Sequence, residues 1–379
     1  MKDKLINLLM AIFRCLPINK SKILFMSYYG ANYGCNPKYL SEYICNNYPD
    51  KFKVVWSFLH PAKFKGYTGF RKVKYNGLKH YFHLATAGTI VHNYRMPSTF
   101  RKRNGQLYIQ CWHSSLRLKK IEGDVEHSLK SDYLSMAKSD SKQIDLLISG
   151  CKFSTQIFQR AFWFDGKILE YGTPRADVFF RPSNLIKNKV YKHYNISRDS
   201  KILLYAPTFR NNNSLQCYNL DFNKIVNVLS NRFDGHWVVA IRLHPHLQDL
   251  NMKWKSSDSI DIYNVSKYDD IQELLCASDA LITDYSSLMF DFMFTQKPMW
   301  LYASDIESYI KNERGLYFNI EDLPIPLARN NEELVDNIRM FNPDSYLKDL
   351  AKFQDNVGNY ENGTASEKII DEIIKIKEL

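Results

Sequence analysis

The stretch Ala280-Leu281-Ile282-Thr283-Asp284-Tyr285-Ser286-Ser287-Leu288-Met289-Phe290-Asp291 sets the architecture of the chain. A short apolar run ends at Thr283, a polar tetrad follows, and a helical pattern begins at Ser287 and continues to Phe294. Strand, polar turn and helix make half of a parallel crossover unit. The same unit recurs outward in both directions. Met299–Leu301 reads as the next strand, and Ile271–Ala277 as the preceding helix. Ile202–Tyr205, Trp237–Leu243 and Ile260–Tyr263 read as earlier strands. The first half repeats the scheme with strands at Ile23–Ser27, Val54–Phe58, Thr89–His92, Leu107–Cys111, Ile144–Ile148 and Ile168–Tyr171. Helical patterns lie between them at Leu78–Ala87 and Phe153–Phe162, and Asn36-Pro37 opens another. Apolar strands alternating with helices predict an α/β fold of two doubly wound, Rossmann-like lobes with a cleft between them.

A length of 379 residues suits two domains. The polar stretch Arg181–Ser200 reads as the join. The expected division is an amphipathic helix within residues 1–20, a basic lobe over 21–185 and a second lobe over 186–379. A last helix at 365–377, opened by the capping box Thr364-Ala365-Ser366-Glu367, can pack back on the first lobe.

The net charge of +11 conceals an asymmetry. Residues 1–200 carry 33 Lys and Arg against 13 Asp and Glu, whereas residues 201–379 carry 18 against 27. Between Asp50 and Glu122 there are 15 basic residues and no carboxylate. Such a field attracts an anionic partner: a nucleic acid, a phosphate-rich polymer or an anionic membrane face. No nucleic-acid-binding module accompanies it, which favours the last two. The seven cysteines never fall in a C-x-x-C spacing, which argues against zinc ribbons and disulfide frameworks and for a reducing compartment.

The apolar run Leu5–Leu16 is too short to span a bilayer, which takes about 20 residues. On a helix, Leu5, Ile6, Leu9, Met10, Ile12, Phe13 and Leu16 share one face, with Lys4, Asn7, Ala11 and Arg14 opposite. Two readings fit: a helix lying in a membrane interface beside a basic surface, or one packing on the protein's own core.

Polar residues gather at the carboxyl ends of the strands, where open parallel sheets bind ligands. Ser286 and Ser287 at a helix start can receive an anion, or can simply cap the helix. Arg242, His244 and His246 follow a strand. A metal reading of the two histidines lacks a third clustered ligand, and no D-x-D is present, so an arginine and histidine facing a phosphate is preferred. In Trp112-His113-Ser114-Ser115, adjacent residues are badly placed for a Ser–His nucleophile pair, and a lone general base fits better. A structural histidine remains open there, as it does for His246. The P-loop pattern and the G-x-G-x-x-G fingerprint are both absent.

Taken in order, these segments resemble the CDP-glycerol:poly(glycerophosphate) glycerophosphotransferase family, the teichoic-acid primases and polymerases and their capsule-polymer relatives. The resemblance runs from about Phe25 to the last helix. It is carried by Tyr29-Gly30 with Asn36-Pro37-Lys38, Trp112-His113 with Leu118-Lys119-Lys120-Ile121, and Glu170-Tyr171-Gly172-Thr173-Pro174-Arg175. It continues through Tyr205-Ala206-Pro207-Thr208-Phe209-Arg210, Arg242-Leu243-His244-Pro245, the segment from Ile282 to Asp291, and Lys297-Pro298.

The resemblance implies a GT-B-like fold. It also implies transfer of an alditol phosphate from CDP-glycerol or CDP-ribitol, without metal or other cofactor, to a lipid-linked or growing polymer acceptor. Peripheral attachment to the cytoplasmic face of the membrane is implied as well. By the same resemblance, His113 is the general base and His244 the second catalytic histidine, near the donor pyrophosphate. Ser286, Ser287 and Asp291 are donor-binding, with Arg210 and Arg242 as further basic positions. One departure stands out. The family often has glycine after Trp-His, and Ser114 stands there, which limits backbone freedom beside the base. A GT-B glycosyltransferase using a nucleotide sugar, and a non-catalytic module holding an anionic polymer at the membrane, are the competing readings.

Overall fold

The computed structural model describes residues 2–181, 184–210, 219–243, 260–312 and 315–379. His244 and His246 lie outside them. The chain divides into two compact units. The first comprises Met1–Ser115, Ile121–Asp177 and Gly358–Leu379, and the second Leu116–Lys120 and Val178–Val357.

The first unit is built on seven parallel strands: β1 (Asn19–Phe25), β2 (Lys53–Phe58), β3 (Arg71–Lys74), β4 (Ala87–His92), β5 (Leu107–Gln110), β6 (Leu146–Ile148) and β7 (Lys167–Leu169). Their spatial order is β3-β2-β1-β4-β5-β6-β7. The second unit has β8 (Ser200–Ala206), β9 (His236–Ile241), β10 (Ile262–Asn264), β11 (Ala280–Thr283), β12 (Met299–Tyr302) and β13 (Leu327–Ala328), all parallel. Their order, β10-β9-β8-β11-β12-β13, is the 3-2-1-4-5-6 arrangement of the doubly wound sheet, and the first unit has the same order with one strand added. The chain reverses direction across the sheet between β1 and β4 and again between β8 and β11. Those two points are where such sheets hold ligands.

Helices on both faces explain why the strands are continuous apolar runs. Ile23, Leu24, Phe25 and Met26 are wholly buried. Phe25, Trp56 and Phe58 stack in series at 5.6 and 5.3 Å. The helix Ala365–Lys377 adds Ala365, Ile369, Ile370 and Ile373 to this first core. Thr364 does not cap that helix through its side chain, contrary to the capping-box expectation. Its hydroxyl donates to Asn362 instead (2.6 Å), and Asp177 accepts from the amides of Ala365 (2.9 Å) and Ser366 (2.8 Å). The stretch read as a polar join contains a helix, Asn184–Tyr194, tied within the second unit by Lys187–Asp279 (3.1 Å) and Lys189–Glu273 (2.8 Å).

The first three helices of the first unit are α1 (Lys2–Arg14), α2 (Cys35–Asn47) and α3 (Leu78–Thr86). Phe13 of α1 packs edge-on against Phe82 of α3 at 5.7 Å, while Leu8 and Ile12 stay 59% and 56% exposed. Among the described residues, no helix is long and apolar enough to cross a membrane.

Candidate active site

In the second unit, the loops after β8 and β11 meet where the strand order reverses. Asp284, the residue after β11, is buried and organises both loops. Its Oδ1 accepts from the amides of Thr208 (2.8 Å) and Tyr285 (2.6 Å), and its Oδ2 from Arg210 Nη2 (2.8 Å). Arg210 is itself buried. Its Nε and Nη2 reach Asp305 at 2.6 and 3.1 Å, and Nη1 reaches the Thr208 carbonyl at 2.6 Å. The guanidinium also lies 4.8 and 4.9 Å from the rings of Tyr285 and Tyr309, which stack on each other at 3.6 Å. Tyr285 donates to Asp305 at 3.0 Å, and burial holds its phenol well above the usual tyrosine range.

Ser286 and Ser287 follow on this rigid base, both half-buried, at the start of the short helix Leu288–Phe292. Ser287 makes no side-chain cap; its Oγ accepts from the Leu118 amide at 3.1 Å. The segment Leu116–Lys120 is bound into this unit by further bonds, from Lys120 N to the Gly315 carbonyl (2.8 Å) and from Tyr317 N to the Leu118 carbonyl (2.8 Å). Arg242, immediately past β9, donates to the Tyr268 carbonyl at 2.7 Å. Asp291 is wholly buried and accepts from Gln272 at 3.2 Å, so its carboxylate faces a neighbouring helix. Ser286, Ser287 and Arg210 thus share one loop cluster with Asp284, and Asp291 lies in the interior behind them. Asp284, Asp305 and Tyr309 organise that cluster. Asp284 lies within the Ala280–Asp291 segment, but nothing in the sequence links Asp305 or Tyr309 to it.

In the first unit, His113 sits on the turn after β5. Its ring stacks on Tyr28 (5.4 Å, 9° between planes) and lies 4.9 Å from the Trp112 ring. Tyr28 follows β1, and its amide donates to Asn93 just past β4 (2.9 Å), again across the point where strand order reverses. Trp112 takes a left-handed φ of 45° and is braced by its neighbours: its amide donates to Gln110 Oε1 (2.9 Å) and its ring packs edge-on to Phe162 (4.8 Å). Arg95, buried, lies 3.8 Å over Phe162 and is held by Asp140 and Glu122 at 3.3 Å each and by Ser141 at 2.8 Å.

The left-handed residue of the turn is Trp112, and Ser114 is not among the residues with positive φ. Serine in place of glycine therefore costs no backbone strain. Ser115 packs against Gly150, where an added Cβ would collide with its hydroxyl, and Ser115 O accepts from Ser154 Oγ at 2.6 Å. Behind it, the buried Glu361 accepts from the Thr173 amide (2.9 Å) and hydroxyl (2.6 Å). Burial pushes the Glu361 carboxyl up to about 8.

The sequence model of the CDP-Glycerol:Poly(glycerophosphate) glycerophosphotransferase family matches residues 8–375. The chain is 34% identical to a teichoic acid poly(glycerol phosphate) polymerase of Staphylococcus epidermidis, over 95% of this chain and 52% of that one. It is 31% identical to the Bacillus spizizenii protein of that name, over 98% and 96%, and 26% identical to a teichoic acid poly(ribitol-phosphate) polymerase, over 96% and 58%. It spans about half the length of the S. epidermidis and Bacillus subtilis polymerases. The solved structure of the wall teichoic acid polymerase TagF matches with a TM-score of 0.86 at 30% identity, over 98% of this chain and 94% of that chain. A UDP-GlcNAc 2-epimerase from Neisseria meningitidis, at 12% identity and a TM-score of 0.54, shares the fold alone. With two Rossmann-like units in a GT-B-like fold and a family match over nearly its whole length, this chain belongs to the CDP-glycerol:poly(glycerophosphate) glycerophosphotransferase family.

Proposed function

We propose that this chain transfers glycerol phosphate from CDP-glycerol to a hydroxyl of a lipid-linked or growing polymer acceptor, releasing CMP. The observation that carries this is the locked loop cluster at the strand reversal of the second unit, where Ser286 and Ser287 are presented on a base fixed by Asp284 and Arg210. Higher identity to glycerol-phosphate than to ribitol-phosphate polymerases supports glycerol as the alditol.

In this reading the serine hydroxyls and Arg242 receive the donor phosphates. His113 takes the proton of the acceptor hydroxyl as its oxygen attacks the β-phosphorus. The new O–P bond forms as the bond to CMP breaks, and CMP leaves with the electron pair. His244 and positive charge near the pyrophosphate offset the charge that develops on CMP. Arg210, occupied by two carboxylates, positions the donor loops, and Asp291 supports them from the interior.

The acceptor side is read as membrane-associated, at the cytoplasmic face. The exposed Leu8 and Ile12 of α1 support this, together with a basic cluster beside α3. By register, Lys22, Lys53 and Arg71 point to one face of β1–β3. Lys22 bonds to Thr86 of α3 at 2.7 Å. Burial, together with Lys22, Arg71 and Lys79, pushes His83 down to about 4. Exposed Leu8 and Ile12, together with the exposed cations Lys53, Arg71 and Lys79, suit an anionic interface.

The test is CMP release from CDP-glycerol and CDP-ribitol with a lipid-linked acceptor, in EDTA. Release with CDP-glycerol, cut about 10²–10⁴-fold in both His113→Ala and His244→Ala, is expected. Near-normal turnover in either variant removes that histidine from the mechanism. Silence with both donors, with divalent metal restored, sinks the assignment.

A further inference from the structure

We propose that Asn36 is a positioning residue for the His113 imidazole; the proposal rests on His113 being the proton acceptor. Asn36 is the second residue of α2 and is wholly buried. Its Nδ2 donates to three successive carbonyls of the turn that carries the base, those of Cys111 (3.0 Å), Trp112 (3.4 Å) and His113 (2.8 Å). Its Oδ1 accepts from the Arg175 amide at 3.0 Å.

Three consecutive carbonyl oxygens converge on one point only where the chain reverses sharply, and the left-handed Trp112 makes that reversal. A non-glycine residue in that region is strained, and converging carbonyl dipoles repel one another, so the turn needs a donor at its centre. A buried primary amide meets the requirement. It brings two N–H groups to the carbonyls and an acceptor to the segment at Thr173-Pro174-Arg175. Aspartate would add a fourth acceptor to the cluster, and alanine would supply nothing. Asn36 thus fixes the main chain of His113 while Tyr28, stacked at 5.4 Å, fixes the plane of its ring. Together they define where the imidazole stands, although Asn36 reaches only backbone.

The experiment is a double-mutant cycle with Asn36→Ala and His113→Ala, followed by CMP release and by calorimetric binding of CDP-glycerol. Asn36→Ala is expected to lower kcat about 10–100-fold, the scale of a misplacement near 1 Å. The donor KM and Kd should hold, because the donor groups belong to the second unit. In the His113→Ala background the same substitution should cost nothing further, since its effect passes through the imidazole. Asn36→Ser, which keeps one donor, should recover part of the loss and covers the case in which alanine does not fold. Asn36→Asp should be the worst of the three.

Equal losses from Asn36→Ala in both backgrounds would overturn the proposal, as would kcat and donor affinity falling together. Near-normal kcat in Asn36→Ala beside an inactive His113→Ala overturns the clamp alone. Near-normal kcat in His113→Ala overturns the base assignment and the clamp with it.

Discussion

Removing Arg210 should destabilise the second unit before it does anything else. The guanidinium is 4% exposed, and every nitrogen is engaged, with Asp284, Asp305 or the Thr208 carbonyl. In Arg210→Met the carboxylate of Asp284 is left buried without its cation. Breaking such a pair costs about 3–5 kcal/mol. The Asp305 side chain is 26% exposed, so water takes up part of its loss and the lower end of that range applies. For a unit of this size each kcal/mol moves Tm by about 2–4 °C, giving a fall of roughly 6–12 °C. Scanning calorimetry reads that shift, and titration calorimetry with CDP-glycerol reads the donor site. Asp305→Asn separates the two possible roles of the arginine. If Arg210 positions the loops, losing a partner weakens donor binding. If Arg210 binds phosphate directly, removing a competing carboxylate strengthens it. A variant Arg210→Met that melts within about 2 °C of the parent yet fails to bind CDP-glycerol would refute the positioning argument.

Two further outcomes are expected. Glu361 keeps its proton to about pH 8 when folded and loses it near 4.5 when unfolded, so its contribution is complete below pH 4.5 and is lost as pH rises through 8. Stability should therefore decline across that window by at most about 1.4 kcal/mol per pH unit from this group. Denaturation at pH 5, 6.5 and 8 should show a shallower decline in Glu361→Gln, and an unchanged slope would count against the assignment. In the pair Leu8→Ser and Ile12→Ser, co-sedimentation with anionic vesicles should weaken roughly tenfold or more, since each apolar side chain contributes about 1.5–3 kcal/mol when fully buried. Full retention would remove α1 as the anchor.

The strands that carry the fold are readable because both faces of each sheet are covered, so Ile23–Met26 or Ala280–Ile282 must be apolar throughout. β3 escaped notice for the converse reason. It is an edge strand reading Arg-Lys-Val-Lys, and only Val73 is buried. β13, two residues long, gives no periodicity at all. The apolar face of α1 was legible too, yet which residues turn inward was settled by Phe82, a partner on another helix.

The strand–turn–helix alternation, the family and the polar loops at strand ends are all legible in the sequence, because each is a local pattern. Tertiary structure alone decided how those loops are held. Asp177 caps a helix 188 residues away, Glu361 reaches Thr173 across the same span, Asn36 gathers the carbonyls around His113, and Asp305 meets Arg210. The physical reason is common to all four. A buried polar group must find a partner, and that partner is chosen by proximity in the folded chain, which spacing along the sequence does not encode.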